Sequence, residues 1–158
     1  MEQSKKNTGF TLIELVIVIA VLSIIFAVVI VITWPAKSID LNAISYQIIS
    51  DIRYTQALSM AYNQRFRVNF ATNSYSIADH NGTLIKHPAA NSTIISLGSG
   101  INFSKPPTPN CMAFNGQGIP CNCNSGAQLN NEIIKLATAN AMRDITVTAI
   151  TGYVSVGP

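Results

Sequence analysis

The spacing of hydrophobic and polar residues changes twice along this chain, and each change predicts a different element. Residues 15–32 are apolar except for Ser23, which predicts a helix that is apolar on all sides. From Ser38 to about Asn63, apolar side chains recur every three or four residues, which predicts an amphipathic helix. The buried stripe of this second helix is predicted to contain Leu41, Ile44, Ile48, Ile52, Thr55, Leu58 and Tyr62.

After Asn63 the period falls to two, which predicts short β-strands. Phe66, Val68 and Phe70 should face inward, whereas Arg65 and Arg67 should face outward. The predicted strands are 65–70, 74–77, 83–85, 94–97, 101–103, 112–114 and a closing hairpin formed by 132–138 and 144–156, with turns at Asn81-Gly82 and Asn115–Gly118. The pattern therefore predicts an α+β fold in which a long N-terminal helix packs on an antiparallel β-sheet.

The apolar first helix has the length of a membrane span. Eighteen residues rising 1.5 Å each cover about 27 Å, close to the thickness of a bilayer core. Lys5 and Lys6 precede it, so the N-terminal side is expected in the cytoplasm. A cleaved secretory signal is disfavoured, because the apolar run is too long and Trp34 stands where a small residue is needed. We expect a bend near Trp34-Pro35.

Composition adds little beyond this picture. The chain has 158 residues, of which 48% are hydrophobic and 11% charged, and its net charge is +3. About 120 residues follow the apolar helix, enough for one small domain. The basic residues of that part are scattered, which is not the charge pattern of a nucleic-acid-binding protein.

The sequence gives no sign of an enzyme or a metal site. Cys121 and Cys123 lack the usual spacing of zinc ligands, and His80 and His87 lie far from them, so we interpret both histidines as loop residues. Gly98-Ser99-Gly100 is not followed by a helix that would make it a phosphate loop. We therefore expect no catalytic residues, no metal and no cofactor.

Three cysteines lie beyond the apolar helix, where a disulfide is expected. Cys111 and Cys121 flank the Asn115–Gly118 turn at nearly equal distances, so we expect them to pair. Cys111 with Cys123 is the competing pairing, and a Cys121–Cys123 bridge would be strained. One thiol is left over in each case.

The residues Lys5-Lys6-Asn7-Thr8-Gly9-Phe10-Thr11-Leu12-Ile13-Glu14 resemble the N-terminus of type IV prepilins and of the pseudopilins of type II secretion systems. This resemblance implies cleavage by a prepilin peptidase between Gly9 and Phe10, followed by N-methylation of Phe10. It also implies that Glu14 neutralises the N-terminal amine of a neighbouring subunit. The implied organisation is a leader at 1–9, a helix at 10–36 for the membrane and then the filament core, and an exported pilin-like domain at 37–158.

The domain also resembles one subgroup of these proteins. The Ala-rich end of the second helix, the turn from Phe114 to Gly118 and the closing Thr151-Gly152-Tyr153 are similar to minor pilins and pseudopilins of the GspH/FimT type. The resemblance implies a filament subunit of a type IV pilus or a type II secretion system, and the sequence does not separate these two machines. The implied partners are other pilin or pseudopilin subunits, the prepilin peptidase, an inner-membrane assembly platform and, before assembly, membrane lipid.

The implied location is the inner membrane, crossed once, with the domain in the periplasm and later in the filament. A DNA-binding minor pilin that acts in DNA uptake is the alternative function. It is disfavoured because the DNA-capturing relatives share a Gly-Arg-x-Arg stretch where this chain has Gly152-Tyr153-Val154-Ser155. Arg65, Arg67 and Arg143 could form a different basic patch.

Overall fold

A computed structural model describes residues 12–33 and 37–157, with side chains at 12–25 and 41–157. The chain divides into two compact units, with the boundary between residues 36 and 37. The first unit contains helix α1, Leu12–Thr33. The second unit contains helix α2, Lys37–Tyr62, and all the strands. The predicted α+β class and both predicted helices are confirmed.

The second unit has ten strands, arranged in two antiparallel sheets. They are β1 (Phe66–Phe70), β2 (Ser74–Ala78), β3 (Leu84–Ile85), β4 (Ile95–Ser96), β5 (Asn102–Lys105), β6 (Cys111–Phe114), β7 (Pro120–Cys121), β8 (Glu132–Ala137), β9 (Met142–Val147) and β10 (Val154–Val156). The first sheet has the order β3-β2-β1-β6-β7, and β4 also pairs with β2. The second sheet has the order β10-β9-β8-β5. The predicted closing hairpin is therefore a three-stranded meander, because the chain turns again between β9 and β10.

The core of the second unit lies between α2 and the two sheets. α2 contributes Leu41, Ile48, Ile49 and Ile52, all of them buried. The sheets contribute Val68, Phe70, Met112 and Phe114 from the first, and Phe103, Ile134, Leu136, Ile145, Val147 and Val154 from the second. The predicted stripe on α2 is buried at Leu41, Ile48, Ile52 and Thr55 and half-buried at Ile44 and Leu58. It is wrong at Tyr62, which is 64% exposed because the helix ends there.

The alternation predicted for the first strand is present in β1, where Phe66, Val68 and Phe70 are buried. Val68 lies opposite Ile77 of β2 and Met112 of β6, so this strand is central in its sheet. The backbone of β1 is hydrogen-bonded on both edges, by β2 and by β6. The inward face of β1 packs on α2.

Two turns meet over the C-terminal half of α2. The side-chain amide of Gln56 donates to the carbonyl oxygens of Gly118 (2.8 Å) and Thr151 (2.9 Å). Gly118 belongs to the β6–β7 turn, and Thr151 belongs to the β9–β10 turn. A single helical side chain thus joins a turn of each sheet.

The disulfide corrects one prediction. β6 and β7 pair with Ala113 opposite Cys121, and continuing this register places Cys111 opposite Cys123. Cys111 and Cys123 form the bridge, with Cα atoms 6.2 Å apart, so the predicted Cys111–Cys121 pairing is wrong and the competing pairing is the one formed. The amide of Asn115 donates to the carbonyl of Ile119, which centres the hairpin on Gln117, one residue later than the predicted Cys111–Cys121 pairing requires.

Cys121 keeps a free thiol within the described second unit, and its side chain is buried. Burial raises the pKa of this thiol, and the nearby Arg65 opposes that shift only in part. A buried thiol with a raised pKa is a poor nucleophile at neutral pH.

Candidate functional site

Glu14 lies in the first turn of α1, close to the helix N-terminus. A negative charge is favoured there by the helix dipole. Gly9 and Phe10, predicted for cleavage and methylation, lie outside the described residues, and so does the bend predicted at Trp34-Pro35. The roles of Gly9, Phe10 and Glu14 therefore stay predictions.

The described part of α1, residues 12–25, presents apolar side chains on every side. All described side chains from 12 to 25 are exposed in the single chain. Leu12 is 82% exposed, and Ile24, more than three helical turns later, is 66% exposed. The hydroxyl of Ser23 donates to the carbonyl of Ile19 at 2.7 Å, so this polar group is satisfied inside its own helix. The described surface of α1 favours an apolar environment.

Among the residues that the structure describes, no helix combines the length and the apolar character needed to cross a membrane.

The three arginines proposed as a basic patch do not come together. Arg65 and Arg67 share the outward, half-buried face at the start of β1. Arg143 in β9 instead donates from its Nε to the side-chain oxygen of Asn42, at 2.8 Å. Asn42 and the end of α2 at Tyr62 are separated by about 30 Å of helix, so the third arginine lies far from the other two.

α2 carries polar residues within its buried face, and the sequence pattern missed most of them. The hydroxyls of Ser45, Thr55 and Ser59 are buried, and each donates to the carbonyl four residues earlier. Such bonds allow a hydroxyl to be buried in a helix without an unsatisfied group.

Asp51 is the buried charge of this face and forms a cluster with two other side chains. The Tyr75 hydroxyl donates to its Oδ2, and His87 Nε2 lies 2.7 Å from its Oδ1. Asp51 and His87 are 5% and 6% exposed. Burial, and secondarily the bond to Asp51, raises the pKa of Tyr75 well above its usual value of 10.0, so its hydroxyl stays protonated.

This cluster was not foreseen, since His87 was interpreted as an ordinary loop residue. It does lie in the loop between β3 and β4, but its ring is buried against α2. The sequence feature that indicates this cluster is the position of Asp51, three residues after Ile48 and one before Ile52. That spacing places Asp51 beside the buried stripe. A charged residue at such a position requires buried partners.

Within residues 12–33 and 37–157, no group of three or more His, Cys, Asp or Glu side chains is arranged to hold a metal ion.

Residues 4–30 match the family described as the prokaryotic N-terminal methylation motif. The match covers the basic residues before the helix, the Gly9-Phe10 junction, Glu14 and most of the apolar run. No curated protein sequence matches the chain.

The fold is similar to solved structures of two filament proteins. The type IV minor pilin FimU of Pseudomonas aeruginosa superposes with a TM-score of 0.55 at 10% identity, over 77% of this chain and 91% of that chain. The minor pseudopilin EpsH from the type 2 secretion system of Vibrio cholerae superposes with a TM-score of 0.54 at 10% identity, over 75% and 96%. The chain is thus type IV pilin-like both in its N-terminal motif and in its fold.

Proposed function

We propose that this chain is a structural subunit, a minor pilin or pseudopilin, of a type IV pilus or type II secretion filament. The observation that carries the proposal is the N-terminal methylation motif, which covers residues 4–30 and overlaps a helix whose described side chains are exposed and, apart from Glu14 and Ser23, apolar. The similarity of the fold to FimU and EpsH supports it. A subunit of this kind needs no catalytic group.

The motif supports a proposed route of maturation. In this proposal a prepilin peptidase cuts between Gly9 and Phe10, and Phe10 becomes the methylated N-terminus. Glycine at the cut leaves the backbone without a Cβ, so a protease can approach closely. The mature chain then begins with apolar residues, and Glu14 is its fifth residue.

Two apolar environments suit α1 in succession. Before assembly the helix is held in the inner membrane, with residues 37–158 in the periplasm. After assembly it lies in the filament core against other subunits, so its apolar side chains stay away from water. A carboxylate costs about 2.5 to 3.5 kcal/mol at the centre of a bilayer and less near the interface. Pairing Glu14 with the N-terminal amine of a neighbour removes much of that cost and fixes the register of the two helices.

Replacement of Glu14 by Ala tests this assignment. We expect Glu14→Ala to insert in the membrane normally but to enter filaments at least about tenfold less well, because a charge pair in a low dielectric is lost. The measurement is the amount of tagged chain in sheared filaments from cells that carry either the pilus or the secretion machinery. The machine that incorporates the wild-type chain also identifies its system.

Ser23→Ala is the matched control, because it removes a polar group from the same helix whose hydrogen bond is internal. It should enter filaments like the wild type. Normal incorporation of Glu14→Ala would remove the pairing, and absence of the wild-type chain from both filaments would remove the proposed function.

The DNA-uptake alternative gains no support from the fold. Arg143 is engaged with Asn42 far from Arg65 and Arg67, so a three-arginine surface is not formed. Arg53 is also engaged, since its guanidinium donates to the Val154 carbonyl at 2.7 Å and lies over the Tyr153 ring.

A further inference from the structure

The His87 loop, residues 86–92, lies between β3 and β4 and contacts α2 through His87. It is held by its own backbone: the His87 amide donates to the Ser92 carbonyl at 2.8 Å, and the Asn91 amide donates to the His87 carbonyl at 2.9 Å. The imidazole points away from water to Asp51, while the neighbouring residues 88–90 are exposed. One buried side chain therefore fastens an otherwise exposed loop to the helix.

The hydrogen bonds of the ring determine which nitrogen carries the proton. The backbone amide of Ala90 donates to Nδ1 of His87 at 3.0 Å. A nitrogen that accepts a hydrogen bond has no proton of its own, so Nδ1 is unprotonated. Nε2 must then carry the ring proton and donate it to Oδ1 of Asp51, at 2.7 Å. His87 is neutral in this arrangement.

We propose that His87 is a pH-sensitive latch, in which uptake of a proton at Nδ1 releases the Ala90 segment of the loop. A proton taken from water onto Nδ1 turns this nitrogen into a donor that faces the N–H of Ala90. Two donors cannot share a hydrogen bond, so the Ala90 amide must turn away. The Nε2–H bond to Asp51 is kept and becomes a charge pair, which holds the ring while the loop backbone moves.

The surroundings of the ring allow this movement. The charged group that faces His87 is Asp51 of α2, and Tyr75 of β2 faces the same carboxylate as a neutral hydroxyl. Lys86 precedes the ring on the loop itself and is exposed. A cavity of about 390 Å³ opens beside the ring and is lined by Gln47, Ser50, Asp51, His87, Ala89 and Ala90. The released segment thus has space on its inner side as well as in solvent.

The test uses the full chain in detergent micelles, titrated from about pH 8 to about pH 5, the range in which histidines change charge. Proton–nitrogen spectra of the imidazoles report the tautomer, and hydrogen exchange reports the protection factor of the Ala90 amide. We expect the Nε2–H tautomer of His87 at high pH, and a fall of about tenfold in Ala90 protection as His87 takes up its proton.

Two variants complete the test. His80 is exposed in the neighbouring turn, so His80→Gln is the matched control and should keep the change at Ala90. His87→Gln should abolish it. An Nδ1–H tautomer at high pH, or constant Ala90 protection while His87 titrates, would overturn the latch. Both of these readouts come from the wild-type chain and do not depend on the folding of a variant.

Discussion

At the residue scale, Asp51 shows how a buried carboxylate is accommodated in a small core. Each of its oxygens has a donor from a different element, Tyr75 from β2 and His87 from the β3–β4 loop. The cluster therefore ties α2 to two parts of the sheet region at once. Removing one partner of such a group leaves a buried polar atom unsatisfied, which costs more than the bond contributed.

Tyr75→Phe removes one of these donors and keeps the ring. We expect the free energy of unfolding to fall by about 1 to 3 kcal/mol, since Oδ2 of Asp51 loses its hydroxyl partner. Urea denaturation measures the change. Tyr62→Phe is the control, because Tyr62 is 64% exposed and should change stability by less than about 0.5 kcal/mol. Equal effects of the two variants would contradict the importance of the buried bond.

The raised pKa of Tyr75 also predicts a pH dependence. The hydroxyl ionises near its usual pKa of 10.0 in the unfolded chain but at higher pH in the folded chain. Its contribution to stability is therefore complete below about pH 10 and is lost as the pH rises further. The difference in unfolding free energy between the wild type and Tyr75→Phe should stay constant up to about pH 9.5 and shrink as the pH rises from about 10 to about 11. A difference that stays constant over this range would argue against the shift.

At the element scale, the joint at Gln56 depends on the close approach of two turns. Gly152 has φ of 63°, and a Cβ there would lie 2.8 Å from the Gly118 carbonyl oxygen and 2.5 Å from Nε2 of Gln56. The side chain of any other residue would push the two turns apart. Gly152 is thus required by its backbone conformation and by its neighbours.

Gly152→Ala separates these two reasons when it is compared with Gly98→Ala. Gly98 also has positive φ, 86°, but a Cβ there would meet no atom within 4 Å. Gly98→Ala should cost about 1 to 2 kcal/mol from backbone strain, and Gly152→Ala should cost at least about 1 kcal/mol more from the contact. Thermal unfolding of both variants gives the comparison. A Gly152 variant no less stable than the Gly98 variant would show that the turns can move apart freely.

Most elements of the second unit could be predicted because their periods are strong. The alternation in β1 and the three-to-four spacing on α2 describe faces that really are buried. The disulfide partner could not be derived, because moving the centre of the hairpin by one residue moves the partner of Cys111 by two, from Cys121 to Cys123, and the position of that centre is weakly encoded in the sequence. The Asp51 cluster was missed for a different reason. Its partners lie 24 and 36 residues away along the chain, and spacing along one element carries no information about them.

At the scale of the whole molecule, the two units differ in what their surfaces require. The buried apolar cluster of the second unit draws its residues from position 41 onward, among those whose side chains are described. The described side chains of α1 are instead exposed and, apart from Glu14 and Ser23, apolar. The second unit therefore has its own core, whereas the described surface of α1 favours an apolar environment.

A chain that begins at Lys37 should fold without α1. We expect it to be soluble without detergent and to unfold in one transition within about 5 °C of the full chain in detergent. A chain that begins at Ser45 is the control, because it lacks Leu41, which is 1% exposed in the core. It should melt clearly lower, by several degrees. A Lys37 chain that aggregates or unfolds without cooperativity would show that α1 is needed for folding.

The strands of the two sheets alternate along the sequence, and this order affects which sheet of the second unit can form first. Strands β1 to β4 belong to the first sheet, β5 to the second, β6 and β7 again to the first, and β8 to β10 to the second. When the chain is synthesised from its N-terminus, all strands of the first sheet are present once β7 has been made. β5 has no pairing partner until β8 has been made. During that interval Asn102–Lys105 is an open β-edge that another chain could pair with. Synthesis that brings β8 out quickly after β7 would therefore protect the chain from aggregation.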